Sequence, residues 1–378
     1  MKSIPFAFGK VVFGEEFTNR EEETLELIKQ FIALNNVSII SPRRWGKSSL
    51  VNFATKKLLI ERDDYRVVYL DMFNIKSEED FYKEYTEKIL NATYSGFDTF
   101  IKKSGSFFKK LIPKLSFSPI PESEISVGLD WKEVNLNPSE ILDLPQKIAI
   151  SEGIKIVVCI DEFQNLQIFE KPLAFQKKMR AHWQHHANVS YCLYGSKENM
   201  MKEIFNDNSY PFYRFATILN LKKIKAEKWE GFIKQRFMET DKKINDDAIS
   251  EILQFSNLQP FYVQQLAQTS WLFSEFTCTI NEVNAAKQNI LDQYHSHFVL
   301  EMERLVNSQV NLLKAICTGI TAFGNAENIK KFDLKSTPNI NRAKQALIEK
   351  QIIRNVEGKL EFLDAVFEIW LGKVYFKL

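Results

Sequence analysis

The stretch that most restricts this chain is the junction at residues 37–59. A short apolar run, Val37-Ser-Ile-Ile40, ends in Ser41-Pro-Arg-Arg-Trp-Gly46-Lys47-Ser48, and helical periodicity starts at about Lys47. This is the spacing of a phosphate-binding loop, GxxxxGK[ST], with Ser41 in the place of the first glycine. Chemistry explains the spacing. Successive backbone N–H groups have to wrap a β-phosphate, and the N-terminus of the next helix adds positive potential. Gly46 is expected to let the backbone approach closely. Lys47 reaches the β- and γ-phosphates, and the Ser48 hydroxyl ligates Mg2+. Pro42, Arg43, Arg44, Trp45 and Ser49 complete the candidate ATP-binding stretch. For Arg43 and Arg44 two readings stand, phosphate contact or surface ion pairing.

A loop of this kind needs a carboxylate from elsewhere for its metal. Lys155-Ile-Val-Val-Cys-Ile160 is an apolar run closed by Asp161-Glu162. Asp161 is placed to hold Mg2+, and Glu162 to polarise the attacking water as general base. Strands also end in acids merely to begin a turn, but the upstream loop favours the functional reading. Tyr194-Gly195-Ser196 ends the next apolar run, and Ser196 is a candidate sensor of the γ-phosphate. Arg214, in Pro211-Phe-Tyr-Arg214, is either an arginine finger or a packing and salt-bridge residue.

The 378 residues suggest two or three domains. Five short apolar runs, at 37–40, 66–70, 155–160, 189–194 and 216–221, alternate with helical segments. That rhythm predicts an α/β domain with a parallel sheet over residues 1–221. Its first helix is expected to start from a Thr18 or Asn19 cap and to bury Leu25, Ile28, Phe31 and Ile32. An insert at about 96–137 reads as a β-hairpin, either a partner-binding element or a mobile excursion. Residues 222–300 read as a small helical lid, with Trp229, Phe232, Ile233 and Phe237 at helical spacing and Pro260 opening a further helix. Residues 301–378 read as three helices and a hairpin, which is a winged helix-turn-helix. Ser336 or Thr337 caps its third helix, Pro338 sits in the first turn, and Ile340, Ala343, Leu347 and Ile348 face inward.

The net charge of +2 neither demands nor excludes nucleic acid. Cys159, Cys192, Cys278 and Cys317 form no CxxC pair and lie among apolar residues, as reduced thiols do in a cytoplasmic protein. The N-terminus has no apolar core of a signal peptide, and no run is long enough to cross a membrane. His182, His185 and His186 read as a solvated helix face rather than a zinc site.

Together these residues resemble a known family. Phe17–Glu23, Ile40–Leu50, Val157–Leu166, Leu193–Phe205 and Tyr210–Phe215 are similar to the archaeal-type ATPases, AAA+-like P-loop ATPases of the STAND group. Gln259–Trp271 is similar to their lid, and Ser336–Arg354 to their winged helix. The resemblance implies a P-loop NTPase core, a lid and a C-terminal winged helix, as in origin-recognition ATPases. It implies that Arg20 and Glu23 lie near the adenine, that Gly195-Ser196 acts as sensor, and that Arg214 sits near the phosphate or a subunit interface. Ser41 departs from the family's loop glycine, and Tyr213 stands where many members have glycine.

Two functions follow as expectations. One is a slow, ATP-driven switch or motor that works on a partner through the lid and the winged helix. The other is a DNA-binding regulator in which nucleotide is mainly structural. Its recognition helix would present Asn339, Asn341, Arg342, Lys344 and Gln345, with Arg354 and Lys359 on the wing. Protein docking is the alternative use of that module. A monomer and a homo-oligomeric ring or filament both remain open.

Overall fold

The computed structural model describes residues 4–10, 19–95, 116–119, 125–128, 139–356 and 358–378. The chain forms two compact units. One holds residues 20–42 and 47–222; the other holds 1–19, 43–46 and 223–378.

The first unit is built on a five-stranded parallel sheet. Its strands are β1 (Val37–Ile40), β2 (Tyr65–Asp71), β5 (Lys155–Asp161), β6 (Val189–Gly195) and β7 (Thr217–Asn220), in the order β2-β5-β6-β1-β7. All five apolar runs in the sequence become strands of this sheet. Burial explains why they read so differently from one another. β1 and β6 are buried at every position, and β5 at all but its ends. Strands covered on both faces carry continuous apolar runs. The edge strands β2 and β7 keep exposed positions instead.

The first helix, Glu21–Ile32, starts differently from the expectation. Arg20, not Asn19, is its N-cap, with no side-chain cap bond; Thr18 lies outside the described residues. Thr24, Leu27, Ile28 and Phe31 are buried, whereas Leu25 and Ile32 are exposed. The buried face is thus rotated, with Leu27 enclosed in place of Leu25.

The insert does contain a hairpin. β3 (Ser116–Pro119) and β4 (Ile125–Gly128) pair antiparallel, Ser116 opposite Gly128. The Asn91 side chain exchanges two hydrogen bonds with the Ile125 backbone, at 2.9 and 2.8 Å, and Glu87 Oε1 accepts from Val127 N at 2.8 Å. Ile125 and Val127 join the core beside the helix Glu78–Thr93. The rest of the insert lies outside the described residues.

The three histidines do not form the expected solvated face. His182 Nδ1 lies 2.9 Å from Asp143 Oδ1 and His186 Nε2 lies 3.1 Å from the same oxygen. A carboxylate only accepts, so both nitrogens carry protons. His186 Nδ1 then accepts from the Tyr191 hydroxyl at 2.8 Å, and Tyr191 in turn accepts from Tyr85 at 3.2 Å. Asp143 comes from a distant helix start, which local spacing could not reveal. Burial pushes the His186 pKa below its ordinary 6.5.

In the second unit one core continues from Ile224 and Trp229 through Ile290 and Leu312 to Leu347 and Trp370. Helices Ala226–Met238, Asp246–Ser256, Pro260–Phe273 and Ile280–Glu303 precede the winged module. The last of these begins at a capping box, Thr279 with Glu282. The module itself comprises helices Asn307–Cys317, Ala326–Lys331 and Thr337–Glu349, then strands Ile353–Val356 and Lys359–Phe362 paired antiparallel. Ser336 caps its third helix by position, and Ile340, Ala343 and Leu347 are buried as expected. Phe6 joins this core. All four cysteines are free, and no helix among the described residues is long and apolar enough to cross a membrane.

Two outcomes follow. Leu347→Ala is expected to cost about 2–5 kcal/mol in urea unfolding, because Leu347 is fully enclosed. A His buried neutral stabilises fully above its unfolded pKa of 6.5 and loses that contribution as pH falls through the folded value. The stability advantage of wild type over His186→Phe should therefore shrink from pH 7.5 to 5.5; an advantage equal at both pH values would contradict the network.

Candidate functional site

Three strands of the sheet end on the same edge and carry the site. In register, Ile40 of β1 lies opposite Gly195 of β6, and Leu193 of β6 opposite Ile160 of β5. The residues just past these ends are Ser41, Ser196 and Asp161-Glu162. Parallel strands bring all their carboxyl ends to one edge, where α/β proteins bind ligands.

The helix Lys47–Glu61 leaves the loop at the end of β1. Ser48 Oγ donates to Asp161 Oδ2 at 2.7 Å. Asp161 Oδ1 accepts from the backbone N of Glu162, also at 2.7 Å. The hydroxyl and the carboxylate expected to share a metal are thus in direct contact. Burial raises the Asp161 pKa from 3.8 to about 6, against the opposing bonds from Ser48 and Glu162 N. Lys47 is buried, and its Nζ donates to the carbonyl oxygens of Ser41 at 2.9 Å and Pro42 at 2.8 Å.

Glu162 sits at φ 50°, ψ 39°, as N-cap of the 3-10 turn Phe163–Ile168. Its Oε2 accepts from Ser196 Oγ at 3.0 Å and from Gln164 Nε2. Ser48, Asp161, Glu162 and Ser196 are therefore linked by hydrogen bonds, with Lys47 next to Ser48 in the chain. Gln164 was missed; the turn Phe163–Ile168 also carries Asn165 and Gln167, so residue type alone did not single it out.

The loop departs from expectation in two details. Ser41 is buried and does not have positive φ, so its position makes no demand for glycine. Positive φ falls on Arg44 at 66° and Gly46 at 85°. The Gly46 dihedral is one that L side chains rarely adopt, and no protein atom lies within 4 Å of a Cβ built there.

Arg43–Gly46 belong to the other unit. There Arg44 Nη1 pairs with Asp364 Oδ2 at 2.9 Å and donates to the Tyr262 hydroxyl. Tyr262 itself donates to Asp364 Oδ2 at 2.5 Å, and Asp364 caps the helix Ala365–Trp370. Of the two readings for Arg44, the ion pair is the one seen; Arg43 is exposed. Trp45 is buried, with the Arg354 guanidinium 5.3 Å from its ring centroid. Ser49 is buried too. Arg20 Nη1 bonds Glu23 Oε1 and the Lys222 carbonyl, each at 2.7 Å. Arg214 is exposed, at φ 56°, and stacks on Tyr213 with 5.0 Å between guanidinium and ring.

Comparison with known proteins agrees with this geometry. The model of an ATPase domain predominantly from Archaea matches residues 17–266. The chain belongs to this family. A probable winged helix domain matches residues 296–373. No curated relative matches the chain. Among solved structures, the chain is similar to a Walker-type ATPase of Pyrococcus abyssi, with 17% identity, coverage of 94% of this chain and 96% of that one, and a TM-score of 0.65. It is similar to the Aeropyrum pernix ORC2 protein in its ADPNP-ADP complexes, at 14% identity, 96% and 94% coverage and TM-score 0.57. The Aeropyrum pernix ORC1 protein in complex with DNA aligns at 11% identity, 96% and 94% coverage and TM-score 0.52. The chain is therefore an ATPase-family domain followed by a winged helix, and its fold is that of P-loop ATPases.

The Asp161 shift has a measurable sign. Its folded pKa lies above the unfolded one, so its contribution to stability is whole below about pH 3.8 and is lost as pH rises through about 6. Above that, a buried charge opposes folding. Asp161→Asn is expected to raise stability at pH 8 by about 1–3 kcal/mol and at pH 4.5 by about a third of that. Thermal unfolding at the two pH values checks this; an equal difference at both would contradict it.

Proposed function

We propose that this chain binds ATP with Mg2+, hydrolyses it slowly, and acts as a switch or motor that passes its nucleotide state to a partner through its lid helices and winged helix. The observation that carries this reading is the 2.7 Å contact of Ser48 Oγ with Asp161, with Glu162 beside it.

The residues fit the cation. Hydroxyl and carboxylate oxygens are hard donors, and Mg2+ is commonly held by one or two such groups with phosphates and waters completing the shell. Among the described residues no three His, Cys, Asp or Glu side chains gather to cage a metal alone. Ser48 and Asp161 would hold Mg2+, whose chemistry there is to draw charge from the β- and γ-phosphates. Ionisation of Asp161 accompanies that binding, so affinity for the cation falls below about pH 6.

The protein's own groups do the rest. Lys47 Nζ turns from the Ser41 and Pro42 carbonyls to the β- and γ-phosphates. Backbone N–H groups of residues 43–48 cradle the phosphates. Glu162 accepts the proton of the attacking water, and Ser196 holds that carboxylate in place. Arg214, exposed at the surface, is the candidate finger for a phosphate, supplied within one chain or to a second copy. ADPNP-ADP complexes of the similar ORC2 protein support the nucleotide reading.

A second reading of the winged module is favoured by its surface. Asn341, Arg342 and Gln345 are exposed on the helix Thr337–Glu349, and the similar ORC1 structure holds DNA. In this reading the helix enters a duplex groove. Gel shifts of random duplex DNA that weaken steeply with salt would support it; no shift at low salt assigns the module to protein docking.

Lys47→Ala is expected to abolish ATP binding. Glu162→Gln should keep ATP affinity while turnover falls by about 100-fold or more. Equilibrium binding of a fluorescent ATP analogue and phosphate release measure the two. A wild-type protein without measurable affinity for Mg-ATP would overturn the proposal.

A further inference from the structure

Gln164 is wholly buried in the turn after Glu162. Its carboxamide orientation is dictated by chemistry: the Glu162 carboxylate only accepts, so Nε2 must face it. Gln164 Oε1 is then left buried with no hydrogen-bond partner. An unmet buried amide oxygen is a net cost to folding, and an apolar side chain would fill the same space without it. Such a group in a native protein calls for a reason other than packing.

The slot that admits this side chain is also specific. A Cβ at Gly195 would stand 1.8 Å from Gln164 Oε1 and 3.0 Å from its Cδ. Only glycine at the end of β6 leaves room for the amide. The next residue, Ser196, bonds the same Glu162 oxygen at 3.0 Å. Oε2 thus receives two donors, whereas among the described residues none is recorded on Oε1. The Glu162 backbone is held as well, by its N–H on Asp161 Oδ1 at 2.7 Å.

We propose that Gln164 is the positioning residue of the hydrolytic base: with Ser196 it pins Oε2 of Glu162 and so presents Oε1 to the attacking water, in a slot that Gly195 keeps open. This inference rests on the reading of Glu162 as general base. A carboxylate pinned at one oxygen loses rotational freedom about its terminal torsion, and a base held in near-attack geometry gains rate without gaining substrate affinity.

Gln164→Met retains length and removes the donor. It is expected to lower kcat for ATP hydrolysis by about 10–100-fold, with ATP affinity unchanged and a melting temperature no lower than wild type. Gly195→Ala, which evicts the amide, should reproduce that loss of kcat. A fall in kcat at unchanged ATP affinity and melting temperature is a split that a merely structural role would not give. Wild-type kcat in Gln164→Met overturns the role of Gln164. Joint loss of ATP binding and melting temperature in Gln164→Met also overturns it, as the mark of a structural residue. A wild-type protein that binds ATP but never hydrolyses it overturns the ATPase reading itself.

Discussion

The hydrogen bond from Ser48 to Asp161 joins two segments 113 residues apart, and the rest of the site is arranged around it. It forms because β1 and β5 are parallel and separated in the sheet only by β6. Parallel strands end on one edge, so a hydroxyl opening the helix after β1 meets a carboxylate closing β5. The order β2-β5-β6-β1-β7 also sets Ser196, just past β6, between them in register. A different strand order would keep every motif and lose the site.

This arrangement works against the stability of the sheet unit. Asp161 is buried enough that its pKa rises to about 6, so its ionised form is disfavoured where it stands. Lys47 occupies carbonyl oxygens of its own loop, and Gln164 leaves an amide oxygen unmet. The buried carboxylate and the unmet amide oxygen are local conflicts that packing alone would have removed. Conflicts of this kind gather at functional sites, where the compensating interaction comes from a ligand. In the proposed reading that ligand is a triphosphate with its cation.

Much of this was legible in the sequence because it depends on local rules. Continuous apolar runs located the buried strands, and Gly46-Lys47-Ser48 with Asp161-Glu162 marked the candidate site. Pro338 and the turn at Gly358 marked the winged module. What was not legible depends on contacts between distant residues. Arg44 pairs with Asp364, 320 residues away, and Asp143 gathers one histidine from another helix and a second from just beyond its end. The rotation of the first helix, which hides Leu27 rather than Leu25, is decided by the surface it packs on. Gln164 lay in plain view, but its importance appears only beside Gly195.

The most direct measurement is a crystal structure grown with Mg2+ and a non-hydrolysable ATP analogue. The account predicts Ser48 Oγ on the cation, Asp161 in its shell, and Lys47 Nζ moved from the Ser41 and Pro42 carbonyls to the phosphates. Triphosphate bound elsewhere, or Lys47 still on those carbonyls with the analogue present, would contradict it.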